Sequence, residues 1–358
     1  MLLDYFIEIL LFFVVAFALS WLINKLLLSF SKSLGIRNKN DVVVRWSNES
    51  KPSLGGISMF VTFIFIVLIY AIINSGSAIF DNLEFNGLIV ASLLAFGIGL
   101  ADDAYNTRPF LKLLGQIGCG LILAFTDNSI SFFHNDIADA VLTVIWIVAI
   151  MNSLNMLDNM DGITATVSLF ILLSCMVSVL FISNFQFNLW AIILVAEIGA
   201  IIGFLTYNVN PSRMFMGDTG SQFLGLFVGF FAIKGLWNAP VSYELPAWSG
   251  MLIALVAFTP AAADTLTVVI NRLKKGQSPM VGGKDHTTHH LVYKGLNDFQ
   301  VWLRFLLLSV LSFLISVTLI YFLDLGYFLP SLIGIIFFLI VFVILYRNTL
   351  KYNPPEDN

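Results

Sequence analysis

The sequence predicts an all-α, polytopic integral membrane protein of about 11 transmembrane helices. Three observations carry that reading. Of 358 residues, 58% are hydrophobic and only 11% are charged, where a soluble domain carries about 25% charged residues. The mean hydropathy is +0.91. The apolar residues also fall in runs of span length, and at roughly 20 residues per crossing they suffice for on the order of ten spans.

The runs lie at 5–27, 56–74, 84–101, 111–126, 137–151, 163–183, 187–206, 221–237, 248–270, 302–322 and 327–346. The first carries Asp4 and Glu8 where a secretory leader would carry Lys or Arg. It therefore reads as a retained span, even though Ala16-Phe17-Ala18 looks like a cleavage site. The second opens after the turn Pro52-Ser53-Leu54-Gly55-Gly56, which is ordinary Pro/Gly punctuation. The third closes on Gly99-Leu100-Ala101-Asp102-Asp103, and the fourth and fifth are the shortest. The sixth follows Asp161-Gly162, the seventh holds Glu197 near its middle, and the eighth is entered through Met216-Gly217-Asp218-Thr219-Gly220-Ser221. The ninth contains Pro260 and Asp264, and a long loop with His286, His289 and His290 separates it from the last two. With no repeat or linker in view, residues 1–358 read as a single multi-pass domain.

Seventeen of the 18 Lys and Arg residues fall in, or flank, one set of connections, and Lys234 alone falls on the other side. The positive-inside bias then places the N-terminus outside and the C-terminus in the cytoplasm. Net charge is −4 with the cations thinly scattered, which excludes nucleic-acid binding. Cys119 and Cys175 both lie inside apolar runs, so they form neither a disulfide framework nor a zinc site.

The acids sit on the cytoplasmic side. Asp102, Asp103, Asp158, Asp161 and Asp218 gather from connections 102–112, 152–162 and 208–221, facing the histidine loop 271–300. Asn152 and Asn155, like Asp158 and Asp161, are three residues apart, so helical backbone aligns each pair on one side. Ionisable groups at span ends are functional candidates by default. A set of hard oxygen donors suits Mg²⁺, which takes one or two carboxylates and completes its shell with water and substrate phosphates. The histidines are too few and too mixed with Thr for zinc. The glycine-bounded 217–221 segment adds backbone N–H groups for an anion.

Each piece has a structural alternative. Asp102-Asp103 alone is a solvated helix end, and Asp218 alone is a helix cap. Glu197, inside its span, reads as structural. Asp264 is either turned toward the site by a break at Pro260 or packed between helices. A transporter would place its polar residues at the midplane on broken, repeated helices, whereas here only Glu197 lies near the middle.

The chain resembles the polyprenyl-phosphate N-acetylhexosamine-1-phosphate transferases (glycosyltransferase family 4). The matching segments are Pro52 to Gly56, Asp102-Asp103 with Lys112, Asn152 to Gly162, Phe215 to Ser221 and His286 to His290, in the family's order. The resemblance implies an enzyme of the bacterial cytoplasmic membrane. It would move a sugar-1-phosphate, GlcNAc-1-phosphate first, from a UDP-N-acetylhexosamine to undecaprenyl phosphate and release UMP. That is the first membrane step of envelope polysaccharide synthesis. Asp102 and Asp103 match the acidic pair of the reaction centre, and Asp158 and Asp161 match acids serving the donor nucleotide and catalysis. Asn155 and Asp218 match Mg²⁺ ligands, with Mn²⁺ the open substitute. Lys112 matches a phosphate contact, and His286 and His289 match the loop that shapes the sugar pocket. Asn152 joins the substrate-binding set, and Lys51, at headgroup depth, would hold the acceptor phosphate. The loop departs from the family's Asp-Arg-x-His-x-His-His-Arg-Leu at Gly283, Lys284, Thr288 and His290, which leaves another UDP-N-acetyl sugar open. A homodimer is open too.

Overall fold

The computed structural model describes residues 2–34, 51–74, 79–183, 188–239, 245–279 and 282–353. Arg37, Lys39, Arg45, Ser75 to Ser77, Pro240, the tail from Pro354 and the side chain of Lys32 lie outside the described residues. Among the described residues the chain is helical, apart from one isolated bridge between Ser53 and Phe215. The helices are α1 (Leu2–Leu34), α2 (Gly55–Ile73), α3 (Leu83–Tyr105), α4 (Pro109–Ala124), α5 (Asp136–Leu157), α6 (Ile163–Ile182) and α7 (Leu189–Asn208). There follow α8 (Gly217–Ala232), continued by a π-turn over Ile233–Trp237, then α9 (Ala247–Ala257), α10 (Thr259–Lys274), α11 (Thr287–Tyr293), α12 (Asp298–Asp324) and α13 (Pro330–Lys351).

Each of the eleven expected runs meets a helix, but the count of crossings is coarser. Among the described residues nine helices are long and apolar enough to cross a bilayer, or ten if α9 and α10 form one span. The fourth, α4, is a shorter apolar helix. The ninth run is not one helix: α9 and α10 meet at an angle of 82°. Proline lacks the N–H and clashes with the preceding turn, so Pro260 is tolerated at the start of a new helix and not inside an old one.

The polar stretches expected in connections are largely helical. Asp102 and Asp103 belong to the last turn of α3, Lys112 to the first turn of α4, Asn152 and Asn155 to the end of α5, and Asp218 to the first turn of α8. Hydropathy ends a span where polarity begins, whereas these helices continue because their polar ends bond to one another.

Packing centres on α8, which is buried from Thr219 to Ala232 and contacts α2, α3, α5 and α6. Its phenylalanines form a ladder with α2, where Phe63 meets Phe227 edge-on at 5.5 Å between centroids. Very close approaches at its N-terminal end require glycine. A Cβ on Gly56 would lie 2.1 Å from the Gly220 nitrogen, and one on Gly99 would lie 2.3 Å from the Asp218 carbonyl oxygen. Around this centre, α1 packs on α7, while Leu10, Leu11, Leu307, Leu311, Ile336 and Leu339 turn outward. An apolar exterior over a closely packed interior is that of a multi-pass membrane protein, with hydrocarbon as the outer solvent.

Candidate active site

One end of the bundle gathers four side chains from four helices. Lys112 Nζ donates to Asp102 Oδ2 at 2.9 Å, Asp218 Oδ1 at 2.6 Å and Asn155 Oδ1 at 3.2 Å. Asn155 Nδ2 in turn donates to Asp218 Oδ1 at 2.6 Å and to Ser221 Oγ at 2.8 Å. Asp102 is fixed from its other oxygen, which accepts from the Thr107 N–H at 2.8 Å and hydroxyl at 2.7 Å. One ammonium thus stands where oxygens of three side chains converge. Lys112 is largely buried, while Asp218 keeps about a third of its side chain open, at 33%.

Asp103 faces elsewhere. Its two oxygens accept from the Asp218 N–H at 3.1 Å, the Thr219 N–H at 2.8 Å and the Thr219 hydroxyl at 2.7 Å. It therefore caps α8 from a different helix, satisfying amides that an N-terminus leaves unpaired. Gly217 has φ +78°, and a Cβ there would come within 2.9 Å of the Asp103 carboxylate. The acidic pair divides its work: Asp102 faces the ammonium, and Asp103 sets the position of Asp218.

A layer of amides lies behind the ammonium. Gln116 Nε2 donates to Gln222 Oε1 at 2.9 Å, and Asn152 Nδ2 donates to Gln116 Oε1 at 2.7 Å. Asn152, expected to bind substrate, is bonded into this layer through Gln116. Gln116 and Gln222 were not singled out from sequence, although each follows a site residue by four positions and is an isolated amide in an apolar helix. That helical spacing was the available signal.

Asp161 lies in a second cluster. Its Oδ2 accepts from the Ser212 N–H at 3.0 Å and the Asn210 amide at 3.4 Å, with Lys51 Nζ at 3.9 Å. Lys51 also donates to Ser212 Oγ at 3.3 Å. Asp158 ends α5, where its N–H donates to the Leu154 carbonyl at 3.1 Å. The turn at Pro52 to Gly56 uses the amides of its two glycines inside the fold. Gly55 and Gly56 donate to the carbonyls of Phe215 and Met216 at 3.1 and 3.0 Å, so this turn braces the segment leading to Asp218.

The histidine loop is anchored by Asp264. This wholly buried carboxylate accepts from the Thr287 N–H at 2.8 Å and hydroxyl at 2.6 Å, and its other oxygen lies 3.0 Å from His286 Nδ1. The bend before Pro260 thus sets Asp264 against the loop. Thr288 donates to Asn159 at 2.7 Å, tying the loop to the segment after α5. Arg272 grips Asp285 through two bonds of 2.8 and 2.7 Å. Burial raises the Asp285 carboxyl, but this guanidinium outweighs it and holds the group below its ordinary range. His289 is buried beside His286, at 5.5 Å between ring centroids. Burial first, and then the neighbouring His286, push it down to about 3. His290 Nδ1 meets the Tyr352 carbonyl, so it faces the end of α13.

With this geometry in place, the comparison with known proteins is direct. The profile of glycosyl transferase family 4 matches residues 85–236, the stretch that supplies Asp102, Asp103, Lys112, Asn155 and Asp218. Over that stretch the chain is similar to glycosyl transferase family 4. Its relatives include the probable undecaprenyl-phosphate N-acetylglucosaminyl 1-phosphate transferase of Bacillus subtilis. The two are 27% identical over 276 residues, covering 75% of this chain and 72% of that protein. The decaprenyl-phosphate N-acetylglucosaminephosphotransferase of Mycolicibacterium smegmatis is 27% identical over 290 residues, covering 74% and 71%. A phospho-N-acetylmuramoyl-pentapeptide-transferase of Nautilia profundicola is 25% identical over 310 residues, covering 76% and 81%.

No three His, Cys, Asp or Glu side chains among the described residues group closely enough to hold a metal ion. The donors beside Lys112 instead comprise two carboxylates and one amide, all hard oxygens. That set fits Mg²⁺, which rarely uses an all-protein cage and shares its shell with water and phosphate oxygens.

Proposed function

We propose that this chain transfers an N-acetylhexosamine-1-phosphate, GlcNAc-1-phosphate in the first instance, from a UDP-sugar to undecaprenyl phosphate. The single observation that carries the reading is the convergence of Asp102, Lys112, Asn155 and Asp218 at one end of the bundle. A lipid-borne phosphate can reach that depth from the bilayer, and a soluble nucleotide can reach it from water. The reading includes an outside N-terminus, a cytoplasmic C-terminus and eleven crossings, with α4 and the bent α9–α10 pair each counted once. It places the protein in the bacterial cytoplasmic membrane. A carrier is disfavoured, because the acids gather at helix ends and not at the midplane.

In this proposal an oxygen of the acceptor phosphate attacks the β-phosphorus of the UDP-sugar. The bond from that phosphorus to the oxygen bridging the two phosphates breaks, and UMP leaves with that oxygen. Phosphoryl transfer asks little covalent work of a protein; position and charge neutralisation dominate. Lys112 supplies a buried positive charge for the pyrophosphate oxygens, replacing its present bonds to Asp102 and Asp218. Asp102, held by Thr107, orients the acceptor phosphate; with a second phosphate pKa near 6, little base strength is needed. Asp103 keeps Asp218 in place through the first turn of α8. Mg²⁺, held by Asp218 and Asn155, would supply further neutralisation of the pyrophosphate when bound. The Asp264-anchored loop carrying His286 and His289 would form the sugar side of the site, with Asp158 and Asp161 toward the nucleotide.

The test is transfer of labelled sugar-phosphate from UDP-GlcNAc to undecaprenyl phosphate by the purified chain in detergent. Mg²⁺ should give a labelled lipid and UMP in equal amounts, EDTA should abolish both, and Mn²⁺ should restore part of the rate. Absence of lipid product across a panel of UDP-N-acetyl sugars would reject the proposal.

A further inference from the structure

Beside α1 and the end of α7 lies an open-sided cavity of about 420 Å³ lined by Trp21, Lys25, Leu28, Ser29, Tyr207 and Arg213. Its chemistry is two-sided. Lys25 Nζ lies 5.1 Å from the centre of the Trp21 ring, and the Arg213 guanidinium carbon lies 4.8 Å from that of Tyr207. Arg213 also donates to the Thr206 carbonyl at 2.9 Å, which fixes the guanidinium at the end of α7. Among the described residues neither cation is in an ion pair. Leu28 and the partly exposed Trp21 supply an apolar wall on the outer surface of α1.

The depth of the cavity is set by the fold. Arg213 belongs to the short segment between α7 and α8, five residues before Asp218, so the cavity lies at the same end of the bundle as the reaction centre. Tryptophan and tyrosine gather at headgroup level, where one face meets hydrocarbon and the other meets polar groups. Basic pockets between helices on this side of a bilayer suit phosphate headgroups. Two cations with no carboxylate partner among the described residues, held on aromatic faces beside an apolar wall, match a phosphate joined to an acyl chain.

We propose that this cavity binds the headgroup of an anionic membrane phospholipid, with Lys25 and Arg213 on the phosphate and Trp21 and Leu28 along the acyl chain. The site uses none of the side chains assigned to the reaction, and it rests on the orientation proposed above only for the side of the bilayer it faces. Phosphate chemistry is shared by three sources, namely bilayer phospholipid, the polyprenyl phosphate acceptor and inorganic phosphate. The apolar wall disfavours inorganic phosphate, and of the two lipids the proposal commits to the bilayer phospholipid that surrounds the outer surface of α1.

The test reads Trp21 directly. Full-length protein is placed in phosphatidylcholine vesicles containing brominated phosphatidylglycerol or brominated phosphatidylcholine. The quenching assigned to Trp21 is the difference between wild type and Trp21→Phe. Near an anionic surface each Lys or Arg contributes a factor of about five. Brominated phosphatidylglycerol should therefore be preferred by about tenfold or more in wild type. The preference should fall about fivefold in Lys25→Gln or in Arg213→Gln, and be retained in Lys25→Arg, which also controls for folding. Equal quenching by the two lipids in wild type would overturn the proposal. So would a preference that survives in the Lys25→Gln, Arg213→Gln double variant. Displacement of the brominated lipid by millimolar inorganic phosphate, or by a few mole per cent of undecaprenyl phosphate, would reassign the cavity to those ligands and overturn the lipid reading.

Discussion

Asp218 and Asp264 are both carboxylates on helices of this bundle, yet their surroundings differ in kind. One oxygen of Asp218 takes a long, flexible ammonium and a side-chain amide, and a third of its side chain is open. Asp264 is wholly buried and bonded to a backbone N–H, a hydroxyl and an imidazole. The partners of Asp218 can be exchanged for a ligand's phosphates at modest expense. Those of Asp264 cannot be exchanged without opening the packing, and an unpaired buried group is costly. The first region is arranged for chemistry, and the second for holding a loop in place.

Asp218→Ala should separate the two regions most sharply. Transfer activity should fall by about 10²–10³-fold or more, the scale of removing one charge-stabilising group from an active centre. The thermal midpoint in detergent should change little, because Lys112 keeps its bonds to Asp102 and Asn155, and Asn155 keeps its bond to Ser221. Activity near wild type would erase the distinction. Asp264→Ala should do the reverse. Leaving the buried Thr287 N–H and hydroxyl without their acceptor destabilises by about 1–3 kcal/mol for each group, visible as a large drop in thermal midpoint. In the fraction that remains folded, the loss should appear as a raised KM for the donor, with kcat much less affected. An unchanged midpoint would mean that Asp264 does not anchor the loop.

Asp103 lies within the first region but should behave partly like the second. Asp103→Ala removes the cap of α8, which is worth about 1–2 kcal/mol, and lets Asp218 drift. The expected result is a moderate loss of both midpoint and rate, partly restored by Asp103→Asn, which keeps one acceptor. A loss as deep as that of Asp218→Ala, with no change in midpoint, would instead make Asp103 a direct participant.

How much of this was legible beforehand follows from what hydropathy measures. The eleven apolar runs and the end of the bundle that gathers the acids could be read, because both depend on composition along the chain. The different fates of Asp102 and Asp103 could not, since adjacent helical residues point about 100° apart and nothing local says which neighbour each meets. The Pro52 to Gly56 turn read as punctuation, yet the Gly55 and Gly56 amides serve Phe215 and Met216 more than 150 residues later. The bend before α10 was visible as Pro260 alone; its outcome, Asp264 against His286, needed the fold. Gln116 and Gln222 escaped notice because single amides in apolar helices carry no motif, only a four-residue offset from Lys112 and Asp218.

The smallest expected effect lies in the second region and concerns pH. His289 is packed among His286, His290, Asp264 and Asp285, and burial holds its ring at about 3 against an ordinary 6.5. Between those two values the unfolded chain binds a proton that the folded chain refuses, so stability rises with pH across this window and is fully present only above about 6.5. Asp285 adds to the loss only lower, since Arg272 keeps its carboxyl below the ordinary 3.8. His289→Gln should therefore flatten the fall in thermal midpoint between pH 6.5 and 4. It should leave the midpoint below pH 3.8 still sensitive to the Arg272–Asp285 pair. The effect of His289→Gln on this profile should be the same in an Asp218→Ala background. A profile altered by Asp218→Ala and untouched by His289→Gln would show that the loop's stability is set from the reaction centre, and the two regions would then be one.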